Sequence, residues 1–104
     1  MSQFDVYPNP AGRSSAYPYV VQLQSDATVL DSRDVVIAPL IPVALLRTGG
    51  TVLLPAVRVA GIDYRVAVPM LRATSQRRLK GPVGDIRDAR GLILAAIDSL
   101  FTGG

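Results

Sequence analysis

The last twenty residues, Asp85 to Gly104, constrain this chain more than any other stretch: DIRDARGLILAAIDSLFTGG. Ile86, Ala89, Ile93, Ile97 and Leu100 recur at helical spacing, with Phe101 beside the last of them, so the segment reads as a helix with one apolar face. Asp85 is the expected N-cap, and Asp88 falls in the first turn, where the helix dipole favours negative charge. Thr102-Gly103-Gly104 ends the helix, Gly103 being suited to the left-handed position after it. The run Leu92-Ile93-Leu94-Ala95-Ala96-Ile97 is apolar all the way round. Such a helix needs cover on a second side, either from its own domain or from another protein.

Composition sharpens that requirement. A chain of 104 residues makes one domain, 1–104, with a real core but no room for a second. Apolar residues make up 49% of it, and mean hydropathy is +0.32. Surface-to-volume scaling leaves part of that apolar area outside one protomer, so a homodimer is expected, with Leu92, Ala96 and Phe101 as contacts across it. No apolar run reaches about 18 residues, so no membrane span is expected. MSQFDVYPNP lacks the basic and hydrophobic regions of a signal peptide, and a cytoplasmic location follows as the expectation. With no Cys there is no disulfide framework and no thiolate metal site.

Ahead of the helix the pattern is β. Gln3 to Tyr7 alternates as a short strand, and Pro8 to Ser15 carries the turn signals of a loop. Tyr17 to Gln24 is a second strand, with Tyr19, Val21 and Leu23 on one face and Gln22 and Gln24 on the other. These two are expected to pair as a hairpin around the loop. Val35-Val36-Ile37 suits a strand buried on both faces, stopped by Pro39 and Pro42. Pro42 to Leu46 then allows one turn of helix with Pro at its start. After Gly49-Gly50 comes the clearest alternation: Pro55, Val57 and Val59 against Ala56, Arg58 and Ala60, then Ile62, Tyr64, Val66 and Val68 against Asp63, Arg65 and Ala67. Ala60-Gly61 supplies the positive-φ residue of a tight hairpin turn. Gly81-Pro82-Val83 is a last short strand. The expected fold is five to seven antiparallel strands, barrel-like or α+β, closed by one C-terminal helix.

The chemistry is sparse. All eight acids are Asp and there is no His, so the commonest general bases and metal ligands are missing. Asp26, Asp31 and Asp34 lack the spacing of a calcium loop. Ser14, Ser15, Ser25 and Thr28 have no base beside them in sequence. Gly49-Gly50 and Gly103-Gly104 lack the Lys and hydroxyl of a phosphate loop. A metal-free ribonuclease built on Arg and Asp is conceivable, but nothing specifies it. No metal or cofactor is expected, and the residues favour a binding protein over an enzyme. Charge is uneven: residues 47–80 carry seven bases against Asp63 alone. Arg72, Arg77, Arg78 and Lys80 form an anion-binding patch or a solvated loop, and no aromatic lies between them to stack a base.

Four segments together resemble one family: Met1-Ser2-Gln3-Phe4-Asp5-Val6-Tyr7; Tyr19-Val20-Val21-Gln22-Leu23-Gln24-Ser25-Asp26; Val35-Val36-Ile37-Ala38-Pro39-Leu40; and Ala96-Ile97-Asp98-Ser99-Leu100-Phe101-Thr102-Gly103. In order and spacing they are similar to the CcdB toxins, end to end. The resemblance implies a mainly β fold, an SH3-like β-barrel of antiparallel strands with one C-terminal α-helix, that dimerises. It also implies the toxin of a type II toxin–antitoxin module, which binds the A subunit of DNA gyrase and traps the enzyme on cleaved DNA. The partners implied are a second copy, gyrase and a CcdA-like antitoxin, with DNA met only through gyrase or the antitoxin, in the bacterial cytoplasm. Carried over residue by residue, the gyrase-facing set is Gly91, Leu94, Asp98, Thr102, Gly103 and Gly104, with Ala27 and Thr28 after Gln24-Ser25-Asp26. The antitoxin's disordered tail is implied to dock on Asn9, Pro10, Ala11, Gly12, Arg13, Ser14 and Ser15. Two other readings accompany it, an antitoxin-binding relative with weak or no toxicity and an endoribonuclease toxin of the related fold. Phe101-Thr102-Gly103-Gly104 stands where the familiar toxin has Phe-Trp-Gly-Ile, which removes two apolar anchors of a kind worth about 2 kcal/mol each. Leu94 stands where a polar residue is usual, and Gly91 in mid-helix costs about 1 kcal/mol relative to Ala.

Overall fold

The computed structural model describes residues 2–12, 16–29, 34–46 and 52–103. Seven strands and one helix are found among them: β1 (Asp5–Pro8), β2 (Tyr19–Gln22), β3 (Asp34–Pro42), β4 (Ala56–Val59), β5 (Ile62–Val66), β6 (Arg72–Ser75), β7 (Gly84–Asp85) and α1 (Arg90–Thr102). All pairings are antiparallel. The order is β4-β5-β3-β2-β1-β7, with β6 joined to β3 off that path. The sheet is thus a nearly closed, barrel-like layer with one C-terminal helix, as the sequence leads one to expect.

β3 is the spine. It pairs β2 along one edge, and on the other it pairs β6 over Asp34–Ile37 and β5 over Leu40–Pro42. Pro39 therefore does not stop the strand, contrary to expectation. In a strand the N and C=O of one residue point to the same edge, and the Pro39 carbonyl accepts from Ala67 on the β5/β6 side. Opposite it the Ala67 carbonyl, just past the end of β5, already accepts from the Met70 N–H, so the N–H that Pro39 lacks leaves no ladder acceptor unpaired. Pro42 does end the strand and caps a 3₁₀ turn, Val43–Leu45. The β4–β5 hairpin turns on Ala60 and Gly61 at φ of 52° and 80°, the two positive values a two-residue primed turn requires. The Gly49-Gly50 break lies outside the described residues.

β1 begins two residues later than its alternation predicts. Phe4 sits at φ 70°, a region costly for a large side chain. It is held there because its N–H donates to the Gln22 carbonyl (2.8 Å), its own carbonyl accepts from Ile86 (3.0 Å), and its ring is buried. The strand before the helix is Gly84–Asp85 rather than residues 81–83, paired with Asp5 and Val6.

The core lies between the concave face of the sheet and α1. Val6, Val21, Leu40, Tyr64, Val66 and Val68 meet Ile86, Ile93 and Ala96 there, with Ile97 and Leu100 packed at the margin. Tyr19 meets Tyr64 edge to face at 5.9 Å, a favourable aromatic geometry. A smaller cluster, Tyr7, Val20, Val35 and Ile37, fills the opposite face under Val29 and Leu79. This second cover explains why the polar face expected of β2 is wrong. Gln22 is fully buried, its Nε2 donating to the Gln24 carbonyl and to Asp26 Oδ1, each at 2.8 Å.

Candidate functional site

The helix sets the geometry of the outer surface. Its start is not the one expected. Asp85 Oδ1 accepts from the Arg87 N–H and so opens a 3₁₀ turn, Arg87–Ala89. α1 begins only at Arg90, with no side-chain cap from Ala89. Asp85 also pairs with Arg87, which reaches Asp5 as well, both at 3.0 Å. This arrangement pins the helix entry to β1. At the other end Gly103 takes the left-handed conformation at φ 71°, its N–H donating to the Ser99 carbonyl. The terminal turn matches expectation, and Gly103 is part of the cap rather than a free tail.

The helix buries Ile93 and Ala96 completely, while Leu92 is 60% and Phe101 71% exposed. At about 100° per residue, Gly91, Asp98 and Thr102 fall on the line opposite that buried face, with Leu94 on their flank. All four are exposed, so four of the residues carried over as gyrase-facing form one outward ridge about 17 Å long. The ridge is nearly featureless chemically. Gly91 has nothing within 4 Å of where a Cβ would stand, and the Thr102 hydroxyl donates back to the Asp98 carbonyl at 2.7 Å. Gly103 is exposed beyond it; Gly104 lies outside the described residues. The expected dimer contacts do not form a set. Ala96 is sealed inside its own chain, and Leu92 and Phe101, nine residues apart, point to opposite flanks.

Ala27 and Thr28 are exposed on a 3₁₀ turn, Asp26–Thr28. The three residues before them act as scaffold. Gln24 Oε1 accepts from the Val36 N–H (3.0 Å) and its Nε2 donates to the Thr28 carbonyl (3.0 Å). Ser25 Oγ accepts from the Ala27 N–H, and Asp26 takes the buried Gln22 amide. The turn is thereby fixed against β2 and β3. Ala27 and Arg90 line one open concavity, with Ser2, Gln3 and Arg87 between them. The concavity reaches Arg90, the first residue of α1, but none of the ridge residues, and Thr102 and Gly103 lie at the far end of the helix.

The loop assigned to the antitoxin is organised by Asn9. Its Oδ1 accepts from the Ala11 N–H (2.9 Å), its Nδ2 donates to the Tyr17 carbonyl (2.7 Å), and its carbonyl accepts from Gly12 (2.9 Å) at φ 90°. Pro10 is half-buried; Ala11 and Gly12 are exposed. Arg13, Ser14 and Ser15 lie outside the described residues. This loop leaves the Pro8 end of β1 and Ala27 follows the opposite end of the hairpin, so the two surfaces are not one site. An Asn two residues before an exposed N–H is a legible turn signal. The contact of Arg78 Nη2 with the Pro10 carbonyl, across 68 positions, left none.

Among the described residues no three or more Asp, Glu, His or Cys side chains are grouped to hold a metal, and no helix is long and apolar enough to cross a membrane. No curated protein matches the sequence significantly. A model of one protein family, described as CcdB protein, matches residues 3–103. By that match over almost its full length, the chain belongs to the CcdB family, the toxins of toxin–antitoxin modules with gyrase and an antitoxin as partners in general.

Proposed function

We propose that this protein is a type II toxin that poisons DNA gyrase by binding its A subunit and holding the enzyme on cleaved DNA, without enzymatic chemistry of its own. The observation that carries the reading is the helix ridge. Gly91, Leu94, Asp98 and Thr102 lie exposed on the outer side of the helix, and Ala27 lines a concavity that opens at the helix start. The supporting family match covers this surface. The working form is a homodimer, because Leu92 on one flank of α1, or Leu94 with Phe101 on the other, leaves apolar area for a second copy to cover, and it acts in the bacterial cytoplasm, where gyrase is. DNA is met through gyrase alone or through the antitoxin.

Supercoiled plasmid incubated with gyrase, ATP and the purified chain tests the reading. Cleaved DNA released by detergent is the expected product. Leu94→Glu should reduce it without loss of fold, because it places a charge on an exposed contact position. Thr102→Trp should increase it by adding an aromatic anchor. Absence of trapped cleavage with wild-type protein, together with retained antitoxin binding, would instead establish the antitoxin-binding relative without toxicity. The Thr102-Gly103 ending, which presents no large apolar side chain, gives that second reading its footing.

A further inference from the structure

The sheet path runs from β4 at one end to β7 at the other, and no strand pairing joins the two. The barrel is therefore open along one seam. Ala56, Val57, Arg58 and Val59 stand opposite Arg65, Tyr64, Asp63 and Ile62, and the Val66 N–H donates to the Pro55 carbonyl at 2.9 Å. Bonded and non-bonded positions alternate along an antiparallel pair. Val57 and Val59 thus bond β5, while the N–H and C=O of Ala56 and of Arg58 point away from it, into the seam. Among the described residues these four backbone groups meet no partner.

A cleft of about 330 Å³ runs along this edge, lined by Val57, Ile86, Ala89 and Leu92 and by the two acids Asp85 and Asp88. Proteins commonly guard such an edge with a charged side chain. Arg58 is placed to do so, but its guanidinium is turned to Asp63 on β5 at 3.0 Å. Asp85 is engaged by Arg87, whereas Asp88 is exposed and enters no ion pair or hydrogen bond among the described residues. We propose that this seam is a docking site for an extended, basic peptide segment of a partner protein, which adds to β4 as a further strand. The Ala56 and Arg58 backbone groups supply the hydrogen bonds, every second side chain of the peptide meets the apolar lining, and a Lys or Arg between them meets Asp88. An acidic peptide would bring like charge to Asp85 and Asp88. A second copy is the weaker match, because the cation its β4 would bring, Arg58, is already spent on Asp63. Docking here covers Leu92 and leaves Leu94 and Phe101, on the other flank of α1, for dimerisation.

A fluorescein-labelled peptide of alternating Val and Lys is the probe, titrated against the full chain by anisotropy. Ala56→Pro removes an outward N–H without touching a bond to β5, and should weaken binding about fivefold to tenfold. Asp88→Asn should weaken it about threefold at low salt and hardly at all at high salt. Exchange of the Ala56 and Arg58 amide hydrogens, followed by NMR, should be fast in the free chain and at least about tenfold slower in the complex. Thermal melts check the fold of both variants; if Ala56→Pro melts early, Asp88→Asn and the amide exchange of the wild type decide. Absence of binding, or binding that slows neither amide, would overturn the proposal. Equal affinity for a peptide of alternating Val and Glu would overturn the basic chemistry. Protection of the two amides that rises with protein concentration, without peptide, would give the edge to a second copy and overturn it too. No step uses gyrase, so failure here leaves the toxin reading standing, and failure of that reading leaves the seam.

Discussion

Two adjacent residues of α1 make a sharp test of how the helix is seated. Ile93 is completely buried between the helix and the sheet, whereas Leu94 is 37% exposed on the flank of the outward ridge. Ile93→Ala removes three buried carbons, a transfer loss of about 2.4 kcal/mol at roughly 0.8 kcal/mol each. The cavity left between sheet and helix adds to it, for a total of about 3–4 kcal/mol. Leu94→Ala gives up a smaller area, partly offset by the better helix propensity of Ala, so its cost should stay below about 1 kcal/mol. Urea titration followed by circular dichroism would show the Ile93→Ala midpoint falling with the slope unchanged. In a domain of this size each kcal/mol moves Tm by about 4–8 °C, so Ile93→Ala should lower it by roughly 12 °C or more. Equal costs at the two positions would mean that the ridge is covered. Repeating the Leu94→Ala titration at several protein concentrations identifies the cover, because a second copy makes the loss concentration-dependent. A cost below about 1 kcal/mol at Ile93 would refute the seating itself.

Gly91→Ala should stabilise the fold by about 0.5–1 kcal/mol, measured as a rise in Tm, because the position is helical and open space surrounds it; no gain would mean that the helix is not formed there. The Tyr7 hydroxyl is buried with no hydrogen-bond partner among the described residues, so Tyr7→Phe should leave stability at pH 7 unchanged or raise it by up to about 1 kcal/mol. Burial first, and the nearby Asp5 carboxylate second, raise the Tyr7 phenol above its ordinary value, and burial does the same for Tyr64. Both contributions are fully present below about pH 10 and are lost as pH rises through the elevated folded values; alkaline unfolding should therefore be milder in Tyr7→Phe than in wild type. Asp5→Ala removes the acceptor of Arg87 and of the Ser2 N–H, both at 3.0 Å, and should cost about 1–3 kcal/mol in urea titration. Sedimentation equilibrium at micromolar protein should give a dimer, and a mass near 11.0 kDa would refute it.

The sequence reveals most where one face of an element meets the core and the other meets water. The β4–β5 hairpin is such a case: Val57, Val59, Tyr64 and Val66 are inside and Arg58 and Asp63 outside, with the turn at Ala60-Gly61. The helix is another, since Ile93, Ile97 and Leu100 pack as their spacing implies, while Phe101, expected beside them, is exposed. Periodicity is uninformative where both faces are covered. Gln22 sits among valines because Leu79, from far along the chain, roofs that side of the sheet, and nothing within β2 announces it. β6 escapes notice for a related reason. Arg72-Ala73-Thr74-Ser75 has no apolar alternation, and its strand state comes from the edge of β3, which offers Asp34 to Ile37 as partners. The proline rule failed at Pro39 because it assumes one partner per edge, and β3 changes partner there.

The same logic separates the two halves of the candidate surface. The ridge on α1 is visible in sequence, because a helix with a known buried face has a known outer face. The contribution of Gln24-Ser25-Asp26 is not, because each side chain is spent holding a turn so that Ala27 and Thr28 are presented. Short polar residues that look functional are scaffold here, and the bland residues after them are exposed. The basic segment inverts this. Its charges look like a solvated loop in sequence, yet the capped turn at Ser75, the anchored Leu79 and the Arg78–Pro10 contact hold them at one place beside the first loop. Fixed charge differs from mobile charge in that no ordering of the surface opposes binding, so more of the electrostatic attraction is retained when a disordered partner folds onto it. The Ala27 turn and the basic segment thus lie at opposite ends of the β1–β2 hairpin.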